Sequence, residues 1–328
     1  MLARHAESLF WCGRYLERAE DTARMLDVTY HGLLESPPGQ AEKAWRDLLA
    51  VLSLDADFTE IGSPLTSGAV SDFLVLDPTN HGAIVAAVAR ARENARSVRE
   101  LIPTELWEAV NTFYLELQSR DLHHDLNQQP YELYGLVKRR CQTVAGVAAE
   151  TMTRDDGSRF LALGRMLERA EMTCRLLNVR CSELQNIPML DRFHVLVGVL
   201  KSASASEAYR KAYGASMEPA NIVEFLLVSS TFPRSLLYCL QHAELDLRAL
   251  ASADVLHLPQ RILGRLRAEL EFADVADLVS GTTRKLQAAL ERIQLGVREA
   301  SDAIAVQYFR NLHVEIRAVD FRPVSGAL

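Results

Sequence analysis

Two sixteen-residue segments of this 328-residue chain match closely at a distance of 151 residues. Residues 13–28 read GRYLERAEDTARMLDV and residues 164–179 read GRMLERAEMTCRLLNV, with eleven identical positions. Looser matches follow in the same order: Trp45–Leu52 with Phe193–Leu200, and Asp72, Thr79 and Ile84 with Glu224, Thr231 and Leu236. Similarity at a fixed distance is typical of repeated structural units. We therefore predict two diverged repeats, over residues 1–150 and 151–328, the second including a C-terminal helix.

The positions of proline favour an all-α fold. Residues 1–36, 131–187 and 260–322 contain no proline, the strongest helix breaker, and they are rich in the good helix formers Ala, Leu, Glu and Arg. Typical helix lengths then predict roughly ten to fourteen helices. Residues 194–200 fit either a strand or a buried helix. Because no Gly/Ser/Pro-rich linker separates the repeats, we expect one compact, pseudo-symmetric helical bundle.

Charge and cysteine content exclude several classes of protein. The chain carries 36 basic and 43 acidic residues, a net charge of -7, which argues against a nucleic-acid binder. It lacks the run of ~20 apolar residues that spans a bilayer, and its charged first residues do not fit a signal peptide. Five cysteines without a CxxC pair favour reduced thiols. We therefore expect a cytoplasmic protein with no nucleic-acid or membrane partner.

The first motif carries charged residues on both sides of its helix. At 100° per residue, one stripe holds Arg4, Glu7, Trp11, Arg14 and Arg18. The opposite side holds Leu2, Leu9, Gly13, Leu16 and Glu20. A surface helix has one apolar and one polar face, so this pattern predicts a central helix. Its charges must then be paired, because an isolated buried ion is strongly unfavourable.

These charges have a structural and a functional interpretation. In the structural one they form internal ion pairs: Glu20 with Arg24, Glu171 with Arg175, and Arg14 and Arg18 with carboxylates of the other repeat. In the functional one, four arginines line a central groove and bind a carboxylate, a phosphate or a peptide terminus. These four are Arg14, Arg18, Arg165 and Arg169.

Metal binding and known catalytic motifs receive little support. The carboxylate pairs Glu17/Glu20 and Glu168/Glu171 lack the His of the Glu-x-x-His pattern found in di-iron bundles. The chain also has no Walker loop, no dinucleotide-binding glycine motif and no nucleophile elbow. We therefore assign no metal, no cofactor and no recognisable catalytic motif.

The opening sequence MLARHAESLFWCGRYLERAE, the second Glu-Arg pair at Glu168 and Arg169, and the charged segment 92–96 together resemble the bacterial Alpha-E family. That family is named for an α-helical domain with a Glu-Arg motif, and the resemblance extends to about residue 309. It implies partners, because members are encoded beside, or fused to, circularly permuted ATP-grasp proteins. A transglutaminase-like peptidase is often encoded nearby, which implies synthesis and trimming of an amide-linked or peptide-like product.

We therefore expect an accessory or substrate-binding subunit of an ATP-grasp ligase that holds a small acidic or peptide ligand. One alternative is an enzyme in which a buried glutamate of raised pKa, Glu17 or Glu168, acts as general base in amide or ester chemistry. The other alternative is a purely structural scaffold. The expected ligand-binding residues are Arg4, Glu7, Trp11, Arg14, Arg18, Glu20, Arg92, Arg165, Arg169 and Glu171.

Overall fold

The computed structural model describes residues 1–36, 39–183, 189–251, 257–279 and 284–309, with side chains described outside 182–191. All regular structure in these residues is helical, which confirms the all-α prediction. The helices are α1 (Ala3–Leu34), α2 (Ala41–Leu52), α3 (Asp55–Ile61), α4 (Ser67–Val75), α5 (Ile84–Ser97), α6 (Thr104–Ser119), α7 (Leu122–Gln128), α8 (Pro130–Thr151), α9 (Asp156–Glu183), α10 (Met189–Ser202), α11 (Ser206–Tyr213), α12 (Pro219–Val228), α13 (Leu236–Leu250), α14 (Leu258–Glu271), α15 (Val275–Val279) and α16 (Arg284–Ile304). A π-helical turn, Ala305–Phe309, follows α16. The part of the predicted second repeat after residue 309 lies outside the described residues.

The described residues contain sixteen α-helices, so the predicted number of ten to fourteen is wrong. The difference comes from short helices such as α3 and α7, which have seven residues each. Ser53 and Gly62 adopt left-handed conformations, with φ of 59° and 72°, and end α2 and α3. Such a residue stops one helix without proline and lets the next begin close by. Residues 194–200 lie within α10 and are helical.

Helices α1 and α9 form the centre of the fold. They pack against each other, α5 and α8 pack against α1, and α13 and α16 pack against α9. Buried residues therefore occur on both sides of α1: Leu9 and Leu16 on one, Arg14 on the other. This placement confirms that the first motif forms a central helix.

Two glycines allow α1 and α9 to approach very closely. A Cβ atom at Gly13 would lie 2.2 Å from the carbonyl oxygen of Leu161, and one at Gly164 would lie 2.0 Å from that of Phe10. Glycine permits this backbone-to-backbone contact because it has no side chain. The crossing thus brings the two Glu-Arg motifs face to face.

The predicted repeats align the loops that enter α5 and α13. Ala83 is the N-cap of α5 and Ser235 is the N-cap of α13. The residues immediately before them are Gly82 and Arg234, which the 152-residue offset between Thr79 and Thr231 also aligns. At the aligned position, one loop therefore has a glycine and the other has an arginine.

Candidate functional site

Two bidentate ion pairs join the central helices. Arg18 donates from Nε and Nη2 to the two carboxylate oxygens of Glu168, at 2.7 and 3.0 Å. Arg169 donates from Nε and Nη2 to those of Glu17, at 2.7 and 2.8 Å. Each arginine thus pairs with the glutamate of the other motif, as the structural interpretation predicted. Two parallel charge-assisted bonds give both strength and a fixed geometry.

Arg14 adds to this network on the side of Glu168. Arg14 is buried and donates from Nη1 to Glu168 at 3.0 Å and to Glu171 at 2.8 Å. Its Nη2 also donates to the Ser301 hydroxyl. Glu168 therefore accepts from both Arg14 and Arg18, and its side chain is only 1% exposed.

The side of Glu17 has an additional cation that sequence reasoning missed. Arg234, from the loop before α13, contacts Glu17 at 3.0 Å, Glu20 at 2.9 Å and Asp21 at 2.7 Å. Its guanidinium thus fills the space among three carboxylates of α1. Arg165 approaches Glu17 less closely, at 3.4 Å, and Arg24 donates to Glu20 and to the Ser204 hydroxyl.

Both candidate general bases have lowered pKa values. Burial alone would raise the pKa of Glu168, but the charges of Arg18 and Arg14 outweigh it and bring that pKa to about 2. At Glu17 burial is likewise outweighed, by Arg169 and Arg234, and the pKa lies below its usual range. The expectation of a glutamate with raised pKa is therefore wrong for both residues. A carboxylate of such low pKa is a weak proton acceptor.

Asp21 shows the opposite shift. Burial is the main cause that raises its pKa to about 7, and Glu17 and Glu20 add to the increase against the opposing charges of Arg234 and Arg24. Its Oδ2 is buried and has no hydrogen-bond partner. The carboxyl group of Asp21 therefore stays protonated to a higher pH in the folded protein than in the unfolded chain.

We expect Asp21→Asn to change how stability depends on pH. An aspartate in the unfolded chain titrates near pH 4. The stabilisation that Asp21 gives to the folded wild type is therefore complete below that pH and is lost as the pH rises through 7. Asparagine keeps an acceptor oxygen for Arg234 and does not titrate. The free energy of unfolding of the variant, measured relative to that of wild type, should therefore increase by roughly 2 kcal/mol as the pH rises from 5 to 8.

Urea unfolding at pH 5, 6, 7 and 8 measures this difference. The exposed Asp55→Asn variant is the control and should run parallel to wild type. A constant difference between wild type and Asp21→Asn over this range would contradict the assignment.

A cavity of about 530 Å³ lies beside the Arg18–Glu168 pair. Its polar lining consists of Arg18, Thr22, Asp57, Glu60, Thr79, Asn80, His81, Gly82, Glu168 and Arg175. Its apolar lining consists of Leu52, Leu54, Ile61, Phe73 and Met172. The volume is that of a site for a small organic molecule.

Two guanidinium groups of the cavity retain unused donors. Arg18 contacts Glu168 through Nε and Nη2, and its side chain is 28% exposed. Arg175 donates from Nε to the Val51 carbonyl and holds Nη1 3.6 Å from Glu171. Nη1 of Arg18 and Nη2 of Arg175 make no hydrogen bond with any residue that the structure describes. Planar guanidinium donors of this kind suit a carboxylate or a phosphate.

Gly82 lines the cavity, and the predicted repeats align it with Arg234. Arg234 extends from its loop past Thr173, whose hydroxyl bonds the Arg234 carbonyl oxygen, to the carboxylates of α1. At the aligned loop, Gly82 lines the cavity together with Thr22, which the 151-residue offset aligns with Thr173. A glycine supplies no side chain to enter this space.

The predicted site residues fall into three groups. Arg14, Glu20, Arg165, Arg169 and Glu171 belong to the ion-pair network rather than to the cavity lining. Of the ten expected ligand-binding residues, Arg18 alone lines the cavity, where the candidate base Glu168 joins it. The remaining four, Arg4, Glu7, Trp11 and Arg92, lie elsewhere.

Those four residues lie on or near the surface. Arg4 and Glu7 are exposed near the start of α1. Trp11 is half-buried and packs on Tyr15, with ring centroids 5.6 Å apart. Arg92, on α5, lies over the rings of Trp107 and Tyr114 and donates to Asn111: its guanidinium carbon is 5.7 and 4.7 Å from the two ring centroids.

Possible metal ligands and cysteine thiols also occur among the described residues. They contain no group of three or more His, Cys, Asp or Glu side chains arranged to hold a metal ion. All five cysteines are unpaired and buried. Burial raises the pKa of each thiol, to about 12 at Cys12 and Cys239, which leaves them poor nucleophiles.

Comparison with known proteins gives the class of this chain. Residues 1–309 match the Alpha-E family, described as a predicted alpha-helical domain with a conserved ER motif. The chain belongs to this family. Two of its Glu-Arg dipeptides, Glu17-Arg18 and Glu168-Arg169, lie in the network described above.

The relatives that match are themselves uncharacterized. Proteins of Mycobacterium bovis and of two strains of Mycobacterium tuberculosis are 25% identical over 319 residues, which cover 90% of this chain. The match covers 35% of each relative, so the chain spans about a third of their length. No solved structure matches. Among the described helices, none has the length and apolar character needed to cross a bilayer.

Proposed function

We propose that this chain is an accessory subunit that binds a small acidic or peptide ligand in the cavity beside Arg18, and that it works with an ATP-grasp ligase. The observation that carries the proposal is the difference between the two loops. Arg234 fills its place among the carboxylates of α1, whereas Gly82 leaves the corresponding space open.

The chemistry of the cavity supports an anionic group on the ligand. Arg18 and Arg175 line it with unused guanidinium donors, and Glu168 is already satisfied by Arg14 and Arg18. A carboxylate that enters would complete the hydrogen bonding of both arginines. A partly enclosed site strengthens these interactions relative to those at an open surface.

The partner is proposed from the family resemblance. Relatives about three times as long as this chain carry further sequence beyond the shared region, as expected if the helical domain works with other domains. Binding without catalysis also suits the low pKa of Glu168. The transglutaminase-like peptidase stays a second proposed partner on the same grounds.

We expect Gly82→Arg to abolish ligand binding while preserving the fold. The new side chain would occupy the cavity beside Arg18 and block the entry of a ligand. Native mass spectrometry of freshly purified protein measures any retained small molecule, which the variant should lack. Its circular dichroism spectrum should show the helix content of wild type.

Gly82→Ala is the matched control. Its Cβ would lie 3.2 Å from Oδ1 of Asn80 and 3.6 Å from Leu54, so a small adjustment accommodates it and the cavity stays open. It should retain the bound molecule. If Gly82→Arg retains the same ligand as Gly82→Ala, the ligand lies elsewhere and the proposal is wrong.

A further inference from the structure

Building on the proposed function, we infer that the ligand is a zwitterion, an amino acid or a short peptide with a free amino end. Its carboxylate binds Arg18 and Arg175, and its amino group faces Asp57 and Glu60. The inference rests on the opposite charges that the cavity presents at its buried and exposed parts.

The buried part of the cavity favours an anion. Met172 occupies the position that the 151-residue offset aligns with Asp21, so the carboxylate that holds Arg234 in the other half has no counterpart here. Glu168 is only 1% exposed and already accepts from Arg14 and Arg18. A cation would therefore find no unused acceptor among these side chains, whereas an anion finds two guanidinium groups.

The exposed part of the cavity favours a cation. Asp57 and Glu60 lie three residues apart on α3, which places them on the same side of that helix. Both are exposed and both line the cavity. Neither forms an ion pair within the described part of the chain. Two unpaired carboxylates at the solvent side would attract the amino group of a ligand whose carboxylate is bound further in.

The rest of the lining is suited to an apolar side chain. Leu54, Phe73 and Met172 border the cavity with Ile61. Apolar contacts of this kind give affinity, and the few charged groups give orientation. The expected ligand therefore combines a carboxylate, an amino group and an aliphatic portion. Leucine and the dipeptide alanyl-leucine are simple probes with this chemistry.

Isothermal titration calorimetry of the full chain tests the inference with matched probes. The zwitterions are L-leucine and L-alanyl-L-leucine. The amino group is absent from 4-methylpentanoate and acetylated in N-acetyl-L-alanyl-L-leucine. The carboxylate is absent from 3-methylbutylamine and converted to an amide in L-alanyl-L-leucinamide. We expect at least one zwitterion to bind, and both of its analogues to bind roughly tenfold more weakly or not at all.

A double variant, Asp57→Asn with Glu60→Gln, assigns the amino group. Since both residues are exposed, their substitution should leave the melting temperature unchanged. The double substitution should weaken binding of the zwitterion several-fold, as expected for partly screened ion pairs, and should leave binding of 4-methylpentanoate unchanged. If binding of both probes weakens equally, or if binding of neither probe changes, the placement of the amino group is wrong.

The remaining outcomes separate this inference from the proposed function. If 4-methylpentanoate or inorganic phosphate binds as tightly as the zwitterions, and Gly82→Arg abolishes that binding, the cavity is an anion site and the zwitterion inference is wrong. If 3-methylbutylamine binds as tightly, the carboxylate contact with Arg18 and Arg175 is wrong. If no probe binds and no molecule is retained in native mass spectrometry, both the inference and the proposed function fail.

Discussion

Gly13→Ala and Gly164→Ala should each destabilise the protein by at least about 3 kcal/mol. The added methyl group would lie 2.2 Å from the Leu161 carbonyl oxygen in one variant and 2.0 Å from the Phe10 carbonyl oxygen in the other. Because the obstacle is backbone, no side-chain rotation relieves the clash, and α1 and α9 must move apart. Urea unfolding and thermal melting measure the loss.

Separation of these helices should also disturb the ion pairs that cross the interface. Arg18 and Glu168 lie within two turns of the crossing glycines, and their bidentate contact tolerates little displacement. The control is Gly146→Ala, on an exposed part of α8 with no atom within 4 Å of the added Cβ. It should stabilise the protein by up to about 1 kcal/mol. If Gly164→Ala melts like wild type, the close crossing is not as described.

The central helix and its ion pairs could be predicted from sequence because both follow from local rules. Helical periodicity placed Trp11 among charged residues and Glu20 among apolar ones, and only a helix surrounded by others satisfies both. Burial of Arg18 and Glu17 then required partners, and the second motif offered the matching carboxylate and guanidinium. The internal repeat itself stays a prediction.

The cavity could not be predicted in the same way. Arg234, Gly82 and Asp57 lie on loops or short helices, and their positions depend on how distant segments pack. The one available signal was the alignment of Gly82 with Arg234, a glycine against a long cation beside a charged motif. Periodicity also does not distinguish a buried arginine from one that lines a cavity. Arg14, Arg165 and Arg169 were therefore expected to line a groove together with Arg18, but of these four only Arg18 lines the cavity.

Arg169→Ala should lower the free energy of unfolding by about 3–5 kcal/mol, because it removes both bidentate bonds from a buried carboxylate. The side chain of Glu17 is 0% exposed, so water does not replace the lost guanidinium. Arg234 and Arg165 remain at 3.0 and 3.4 Å, but neither restores the bidentate contact. Arg18→Ala should cost less, about 1–2 kcal/mol, since Arg18 is 28% exposed and Arg14 still contacts Glu168. Urea unfolding at neutral pH gives both values.

Two comparisons decide whether the loss at Arg169 comes from a stranded charge. Arg46→Ala removes an exposed pair with Glu42 and should change stability by no more than about 0.5 kcal/mol. Adding Glu17→Gln to Arg169→Ala removes the buried negative charge that has lost its bidentate partner, so the double variant should be more stable than Arg169→Ala alone. If the second substitution instead destabilises the protein further, the destabilisation by Arg169→Ala comes from lost packing around the arginine. Packing rather than charge pairing then stabilises the network.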